Sequence, residues 1–470
     1  MGNWKKLWQD WDLQGILLLG FSLQALLLLL APLRSRTSNS VLLSVLWFFN
    51  ILSSALPNFA MGLAFRSRSK NDSSGSYSYS DLLSLWVSFI LLQLGGSDTL
   101  TGFSPEDNDQ WTRVLFQFYV QFSISYYILY LAVPKNELWV LARQIKIGEW
   151  IRALYRGSSF KLMANRERRG HTQQRQKPLS EERLPPGVPS GADFTGPEVA
   201  AHAFGLFKCF KGFFANQATG LSLLRRSRGF FLNRKAKDAF KVIEVELNLF
   251  YATLYTKYAS LQGFVAYFFR VLGFCIAVIV LLIFSLMDKK KHRETDIKIT
   301  YILLYGVLAL DAVSFFMLFL SDFSAGIFLR KLFFLDRLKR AEDYTDTLFF
   351  CRRWSGSLSR YSLLYYCLHP WSKKAERLIA ILRLTDILNG IAYVKTERLE
   401  KHLEKGLKEL TFNDLRHKSQ MAEDPKVTKK ISSAKGEWVL EQGGYTTLLP
   451  YTHNAGYDKS LVLWHVATEL

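Results

Sequence analysis

Long apolar segments alternate with polar, mostly basic segments along the chain. A helix rises about 1.5 Å per residue and the hydrocarbon core of a bilayer is about 30 Å thick, so roughly 20 apolar residues span it. Six segments approach or exceed this length, and they predict an all-α, multi-pass helical membrane protein. The six apolar blocks are residues 14–32, 41–65, 82–94, 114–133, 264–287 and 299–321.

The third block, 82–94, leaves two topologies open because it is short for a span. Six full spans place the N-terminus and the middle of the chain in the cytosol, with the acidic loop after the third block outside. The basic turn around Lys289–Arg293 then faces outside, against the positive-inside rule. A re-entrant third block makes that turn cytosolic and moves the middle segment and the C-terminus outside. We expect six spans, a cytosolic N-terminus, and a plasma-membrane or endomembrane location.

The same pattern divides the chain into four parts. They are an N-terminal membrane bundle (1–134), a basic cytosolic segment (135–263) with a Pro- and Gly-rich linker at 165–197, a transmembrane hairpin (264–321) and a polar helical C-terminal region (322–470). The first part of the basic segment, ELWVLARQIKIGEWIRALYR (137–156), has apolar residues at helical spacing with interleaved Arg and Lys, which predicts an amphipathic helix at the cytosolic membrane interface.

Basic residues exceed acidic ones by 60 to 40, which gives a formal charge of +20. The densest basic cluster lies in the middle segment, and it comprises Arg225, Arg226, Arg228, Arg234, Lys235 and Lys237. Beside a bilayer, each such residue attracts acidic lipid head groups by about 1 kcal/mol. The other interpretation is a solvated, positively charged flank. A chain tethered in a membrane is not expected to bind nucleic acid.

Catalytic sequence patterns give no support for an enzyme. The chain contains no P-loop, nucleophile-elbow, zincin or EF-hand pattern. Its four cysteines are far apart in sequence, which argues against a disulfide scaffold or a cysteine-based zinc site. We therefore expect neither catalysis, nor a cofactor, nor a bound metal.

Two charged residues interrupt the last two apolar blocks, Arg270 in the fifth and Asp311 in the sixth. Each costs about 2.5–3.5 kcal/mol in lipid on insertion scales, so each should face the bundle or a partner. Asp311 either lines an ion or proton path or bonds to neighbouring helices. An antiparallel hairpin would bring Arg270 closer to Asp322 than to Asp311, so no pair between Arg270 and Asp311 is asserted.

An acidic loop follows the third block, with carboxylates at Asp98, Glu106, Asp107 and Asp109. Such a set can bind a hard cation, which prefers oxygen ligands, although the spacing is not that of an EF-hand. The alternative is an acidic extracytosolic loop in which Glu106 or Asp107 caps the helix of the fourth apolar block.

This loop also carries a family resemblance. The stretch LGGSDTLTGFSPEDNDQW (94–111) resembles the signature of a plant membrane-protein family, domain of unknown function 4220. Similar matches occur at 241–257 and 299–322, and the resemblance covers about 16–388. The signature residues are Gly95, Gly96, Asp98, Glu106, Asp107, Asn108 and Trp111. The stretch 94–111 is the motif loop.

The tail SLVLWHVATEL (460–470) resembles the opening of a second module, domain of unknown function 594, which would be truncated here. The resemblance implies a multi-pass membrane location and no activity. We expect a non-catalytic, membrane-anchored scaffold or adaptor that contacts lipid and protein partners. The alternative is an ion- or proton-coupled transporter or channel that uses Asp311.

Overall fold

The structure is a computed structural model of the chain. The structure describes residues 2–72, 82–131, 137–158, 196–212, 221–324 and 401–469, except positions 38, 84, 88, 91, 92, 94, 288, 291, 423, 424, 435 and 454. It also describes residues 359–360, 364, 368 and 397–398. The linker expected at 165–197 lies outside the described residues, apart from its last two.

The chain forms two compact units. The first comprises Met1–Leu223 and Lys241–Ser355, and the second comprises Leu224–Phe240 and Gly356–Leu470. Apart from one two-residue antiparallel strand pair, the regular elements of the described residues are helical. The all-α prediction is therefore confirmed.

Helices of two kinds build the first unit: long apolar ones, and polar ones that follow in the middle of the chain. The helices are α1 (Gly2–Leu30), α2 (Ser40–Asp72), α3 (Pro105–Asp109), α4 (Trp111–Leu131), α5 (Glu137–Gly157), α6 (Gly196–Phe210), α7 (Leu221–Leu232, whose last part lies in the second unit), α8 (Ala236–Tyr255, whose first part lies in the second unit), α9 (Phe264–Leu286) and α10 (Glu294–Phe319); a 3-10 turn, Ala31–Ser35, follows α1.

Four helices in the described part of the chain are long and apolar enough to cross a membrane. Their candidate spans are Leu13–Ser35, Val41–Arg66, Phe264–Leu286 and Glu294–Phe319. They correspond to the first, second, fifth and sixth apolar blocks. This finding is consistent with a membrane protein; the expected number of six spans is not confirmed.

The third apolar block lies inside the bundle. Its described residues between 82 and 93 are helical, and Trp86 and Ile90 are fully buried. The indole N–H of Trp86 donates to Oγ1 of Thr300 in α10 at 3.1 Å. The burial of its described side chains explains why this block is largely apolar although it is short.

Polar side chains fasten this buried segment and α10 to α1. The Gln93 amide donates to the carbonyl oxygen of Leu17 at 2.9 Å, and the Gln14 amide donates to Asp296 at 2.7 Å. Apolar side chains from α1, α2, the 82–93 segment, α9 and α10 fill the space around these bonds. Buried polar groups that are hydrogen-bonded in this way specify the packing partner.

Helices α4 and α5 form a hairpin in which the start of α4 and the end of α5 lie side by side. The ring of Trp111, at the start of α4, lies 5.1 Å from that of Tyr155, at the end of α5. Helix α5 also packs along α9. The sequence predicted an amphipathic helix here at the membrane interface; instead, α5 packs beside two candidate spans and pairs Lys146 with Asp311 of α10.

The returning hairpin places the acidic loop and the end of α8 on one face of the bundle. The N–H of Thr101 donates to the carbonyl oxygen of Tyr255 at 2.8 Å, and the N–H of Lys257 donates to that of Asp98 at 3.0 Å. Six full spans would put these two segments on opposite sides of the membrane. These direct hydrogen bonds contradict that placement.

The described part of the second unit is polar and mainly helical. Its two strands, β1 (Ser359–Arg360) and β2 (Glu397–Arg398), pair in antiparallel fashion. In α11, Lys408 binds Glu404 at 2.6 Å, one turn away. Its helices are α11 (Lys401–Met421), α12 (Pro425–Ser433), α13 (Glu437–Gln442), α14 (Leu449–His453) and α15 (Tyr457–Glu469), with a 3-10 turn at Thr446–Leu448.

Candidate functional site: a buried charge network

The acidic loop is shaped by a reciprocal helix cap at the start of α3. One carboxylate oxygen of Asp107 accepts hydrogen bonds from the backbone N–H groups of Phe103, at 2.6 Å, and Ser104, at 2.9 Å. Ser104 caps the helix in return. This is the capping-box arrangement, in which Ser104 is the N-cap residue and Asp107 is the third residue of the short helix α3. The sequence predicted that Glu106 or Asp107 would cap the helix of the fourth apolar block; Asp107 caps α3 instead.

Asn108 and Trp111 attach the loop to the polar helices. Asn108 is fully buried, and its amide donates to the carbonyl oxygen of Leu254 at 2.8 Å. It packs so tightly on α5 that a Cβ on Gly157 would lie 2.9 Å from its amide nitrogen. With the contact between the rings of Trp111 and Tyr155, these residues hold α3, α5 and α8 together.

The glycine pair of the motif provides backbone carbonyls to a buried lysine. The ammonium group of Lys257 donates to the carbonyl oxygens of Gly95, at 2.7 Å, and Gly96, at 3.3 Å. Gly96 adopts φ +61°, a left-handed conformation that a side chain would disfavour. The turn therefore aims its carbonyls at Lys257, which follows α8.

Asp98 is the centre of the site. Its carboxylate contacts Lys257 at 3.1 Å and Arg270, in the second turn of α9, at 2.6 Å, and the residue is only 6% exposed. Burial by itself would raise the pKa of Asp98, but the positive charges of Arg270 and Lys257 hold that pKa well below its usual range. Asp98 is therefore ionised and links the motif loop to a membrane helix.

The network extends from Asp98 into the bundle through α5. Arg270 also contacts Glu149 of α5 at 3.4 Å, and Lys146, one turn earlier, pairs with Asp311 of α10. Three acidic groups (Asp98, Glu149, Asp311) thus meet three basic groups (Lys146, Lys257, Arg270), and their formal charges cancel. Cancellation matters because an uncompensated charge in this setting is strongly destabilising.

Burial also affects the protonation of Lys257. Its removal from water lowers the pKa of the ammonium group, although the charges of Asp98 and Glu149 oppose this effect. The Gly95 and Gly96 carbonyls add hydrogen bonds that only the charged form can fully use. The motif therefore supplies both a counter-ion and dipoles to one buried lysine.

The two intramembrane charges identified in the sequence do have partners, but not each other. Arg270 binds Asp98 and Glu149, and Asp311 binds Lys146. Asp322, the acidic residue that an antiparallel hairpin would bring closer to Arg270 than Asp311, accepts a hydrogen bond from Asn248 at 2.6 Å. The counter-charges that contact Arg270 come from the acidic loop and α5.

The acidic residues of the loop do not converge on a cation site. Asp98 faces Arg270 and Lys257, Asp107 accepts backbone N–H groups, and Glu106 is exposed. Within the described residues, no group of three or more side chains could hold a metal ion.

The basic cluster of the middle segment is only partly at the surface. Arg225, Arg226, Lys235 and Lys237 are exposed. Arg228 donates to the hydroxyl of Ser419 at 3.2 Å, within the second unit. Arg234 is buried, with its guanidinium 5.4 Å from the centre of the Phe230 ring, so it is not a lipid-facing residue.

Three network residues, Lys146, Glu149 and Lys257, were not identified from the sequence as site residues. Lys257 is the last residue of the 241–257 stretch that carries the family resemblance, which was the available signal. Lys146 and Glu149 are three apart in an otherwise apolar stretch of α5, IKIGEWI, and so share one face. Only the pairing with Asp311 and Arg270 shows that this face turns inward.

These observations define the class of protein. It is an all-helical protein with candidate membrane-spanning helices, and the six charged residues of its network neutralise each other within the bundle. More particularly, the chain belongs to the family described as domain of unknown function (DUF4220), whose family model matches residues 47–366. That match includes the motif loop and every residue of the charge network. No curated protein and no solved structure matches the chain.

Proposed function

We propose that the chain is a non-catalytic, membrane-anchored scaffold. The observation that supports this function is the closed charge network, in which each of six ionisable side chains has one of opposite formal charge beside it. A carrier site must change its charge or its partners during a cycle, whereas a fully compensated network favours one fixed arrangement. Such an arrangement suits an anchor better than a conducting path.

The network also determines at which face of the bundle the polar regions of the chain begin. It joins the motif loop, α5 and the start of α9 at one face of the bundle. Residues after α10 leave at the same face, since Asp322 bonds to Asn248 and Ser324 accepts from Gln262 at 3.4 Å. The polar middle segment and the chain beyond Asp322 thus start from one rigid platform.

For the orientation, we propose that the N-terminus and the basic turn 287–293 are cytosolic. The positive-inside rule counts Lys and Arg in short loops near span ends, and that turn carries Lys289, Lys290, Lys291 and Arg293. The acidic motif loop and the middle segment then lie on the opposite side. Long polar segments translocate largely regardless of charge. This proposal replaces the expected cytosolic placement of 135–263.

Two finer points of the family resemblance also belong to this proposal. We infer a plant origin from the motif loop, and we infer that residues 460–470, most of which lie in α15, open a domain of unknown function 594. The membrane is the plasma membrane or an endomembrane.

Proximity labelling of the full chain in its own membrane tests the scaffold. Gln substitutions at the exposed residues Arg225, Arg226, Lys235 and Lys237 should remove part of a reproducible partner set. A variant with the same loss of charge elsewhere in the second unit, at the exposed residues Lys405, Arg416, Lys429 and Lys459, should retain it. A wild-type chain that labels no more than an unrelated multi-pass protein would contradict the scaffold.

One observation favours the transporter alternative: Asp311 lies in the candidate span Glu294–Phe319, and its pair with Lys146 is not fully buried, with side-chain exposures of 16% for Asp311 and 29% for Lys146. Intramembrane ion pairs of this kind occur in proton relays. Proton flux into liposomes containing the purified chain separates the two functions. The scaffold predicts the flux of empty liposomes; flux that Asp311→Asn abolishes would favour transport.

A further inference from the structure

A groove of about 740 Å³ lies between α2 and α4, away from the charge network. Its walls are mainly apolar and include Met61, Phe65, Phe116 and Val120. Pockets that bind small molecules measure roughly 300–1,000 Å³, so the groove is large enough for an organic ligand.

The groove opens toward the surface of the bundle. Phe65 and Phe116 are 51% and 70% exposed, although they line a concave site. The α2 wall belongs to the candidate span Val41–Arg66, so its surroundings are hydrocarbon. An occupant must therefore offer an apolar chain that reaches the site from within the membrane.

The groove also has a cationic group. Arg113, in the first turn of α4, lines it and is exposed. Its hydrogen bond to Gln110, at 3.3 Å, uses one of the five N–H groups of a guanidinium.

We propose that this groove binds one phospholipid with an acidic head group. An acyl chain lies against Met61, Phe116 and Val120, and the phosphate binds Arg113. A planar guanidinium matches two phosphate oxygens at once, which makes arginine the better recognition group than lysine. Asn58 and Gln121 are both lining residues, and the Gln121 amide donates a hydrogen bond to the side-chain oxygen of Asn58.

Lipid retention by the purified full chain tests the head-group contact. The chain in detergent is mixed with equal amounts of phosphatidylglycerol and phosphatidylcholine, and bound lipid is counted by native mass spectrometry. One basic residue at a membrane surface contributes about fivefold in affinity for an acidic lipid. Arg113→Gln should therefore reduce the preference for phosphatidylglycerol about fivefold, and Arg113→Lys should retain most of it.

Filling the groove tests the chain-binding wall without disturbing the fold. Gly62 lines the groove, and a Cβ at this position would meet nothing within 4 Å. Gly62→Leu should therefore occupy the site and abolish the bound lipid. Gly273→Leu is the matched control, because Gly273 also lies in an apolar helix with nothing within 4 Å and does not line the groove.

Three results would overturn the proposal. The first is equal lipid retention by Gly62→Leu, Gly273→Leu and the wild type at equal thermal stability. The second is an unchanged preference for phosphatidylglycerol in Arg113→Gln. The third is a Gly62→Leu chain that keeps its lipid but loses a self-associated form, which would assign the groove to a second copy of the chain.

Discussion

Asp98 is the residue on which the charge network depends, because it is the only acidic group in contact with both Lys257 and Arg270 among the described residues. Its carboxylate compensates two charges that come from different parts of the chain. The glycine pair before it and the cap after it explain the local sequence: the first directs carbonyls at Lys257, and the second closes the loop.

Replacing Asp98 by Asn should therefore be costly. The substitution leaves Lys257 and Arg270 buried with less negative charge than positive, and breaking a buried pair in this way costs about 3–5 kcal/mol of the free energy of unfolding. Chemical denaturation in detergent measures the difference. Glu106→Gln, at an exposed acidic residue of the same loop, should leave the stability unchanged. Equal stability of Asp98→Asn and wild type would show that the network is not structural.

Local features of the motif could be predicted from the sequence, and long-range pairing could not. The helix cap by Asp107 depends on residues three and four positions away, so propensity rules identify it. The partners of Asp98 lie in other helices far along the chain. A charged residue in an apolar block indicates that it needs a partner, but hydropathy does not identify that partner.

At the scale of elements, α5 is the helix that joins the motif loop to the candidate spans α9 and α10. It contributes Lys146 and Glu149 to the network and gives Asn108 a glycine surface to pack on. Its sequence is amphipathic, which predicted a place at the membrane interface. Because its charged face is neutralised from within the bundle, the helix packs beside apolar helices instead.

Two glycines of α5 offer a matched test of this packing. Gly157→Ala should destabilise the chain by about 1–3 kcal/mol, because its Cβ would press on the buried amide of Asn108. Gly148→Ala, where a Cβ meets nothing within 4 Å, should be neutral or stabilise the helix by up to about 1 kcal/mol. Thermal denaturation of both variants measures the contrast, and the reverse order would contradict the packing of α5 on the loop.

A glutamate in helix α8, Glu246, is expected to make the stability of the chain depend on pH. Burial raises the pKa of Glu246 from 4.5 to about 7. Between these values the folded chain holds a proton that the unfolded chain has released, so this group makes stability fall as pH rises through that window. Glu246→Gln should flatten the dependence of unfolding midpoint on pH between about 4.5 and 7. An unchanged slope in Glu246→Gln would rule out this group as the cause.

The helical nature of the elements was predictable from the sequence, whereas the number of helices that span the membrane was not. Hydropathy identified four apolar blocks that are long helices and candidate spans. For the 82–94 block, a buried helix and a membrane span both require apolar residues on all sides, so composition cannot distinguish them. Trp86 and Ile90 show that this block is enclosed by protein.

At the scale of the whole molecule, the contacts between the motif loop and the end of α8 determine which segments share a side of the membrane. Counting spans in the sequence separated these segments, because it took α4 as one crossing and α5 as an interfacial helix. The hydrogen bonds of Thr101 and Lys257 across the loop require that the segments lie together. The platform proposed for the scaffold depends on this arrangement.

Cysteine accessibility tests this arrangement most directly. Single cysteines at the exposed positions Glu106, Leu247 and Lys290, in a background without the natural cysteines, are treated with a membrane-impermeant reagent on sealed vesicles. The charge network predicts that Glu106→Cys and Leu247→Cys react from one side and that Lys290→Cys reacts from the other. Reaction of Glu106→Cys and Leu247→Cys from opposite sides would contradict the account.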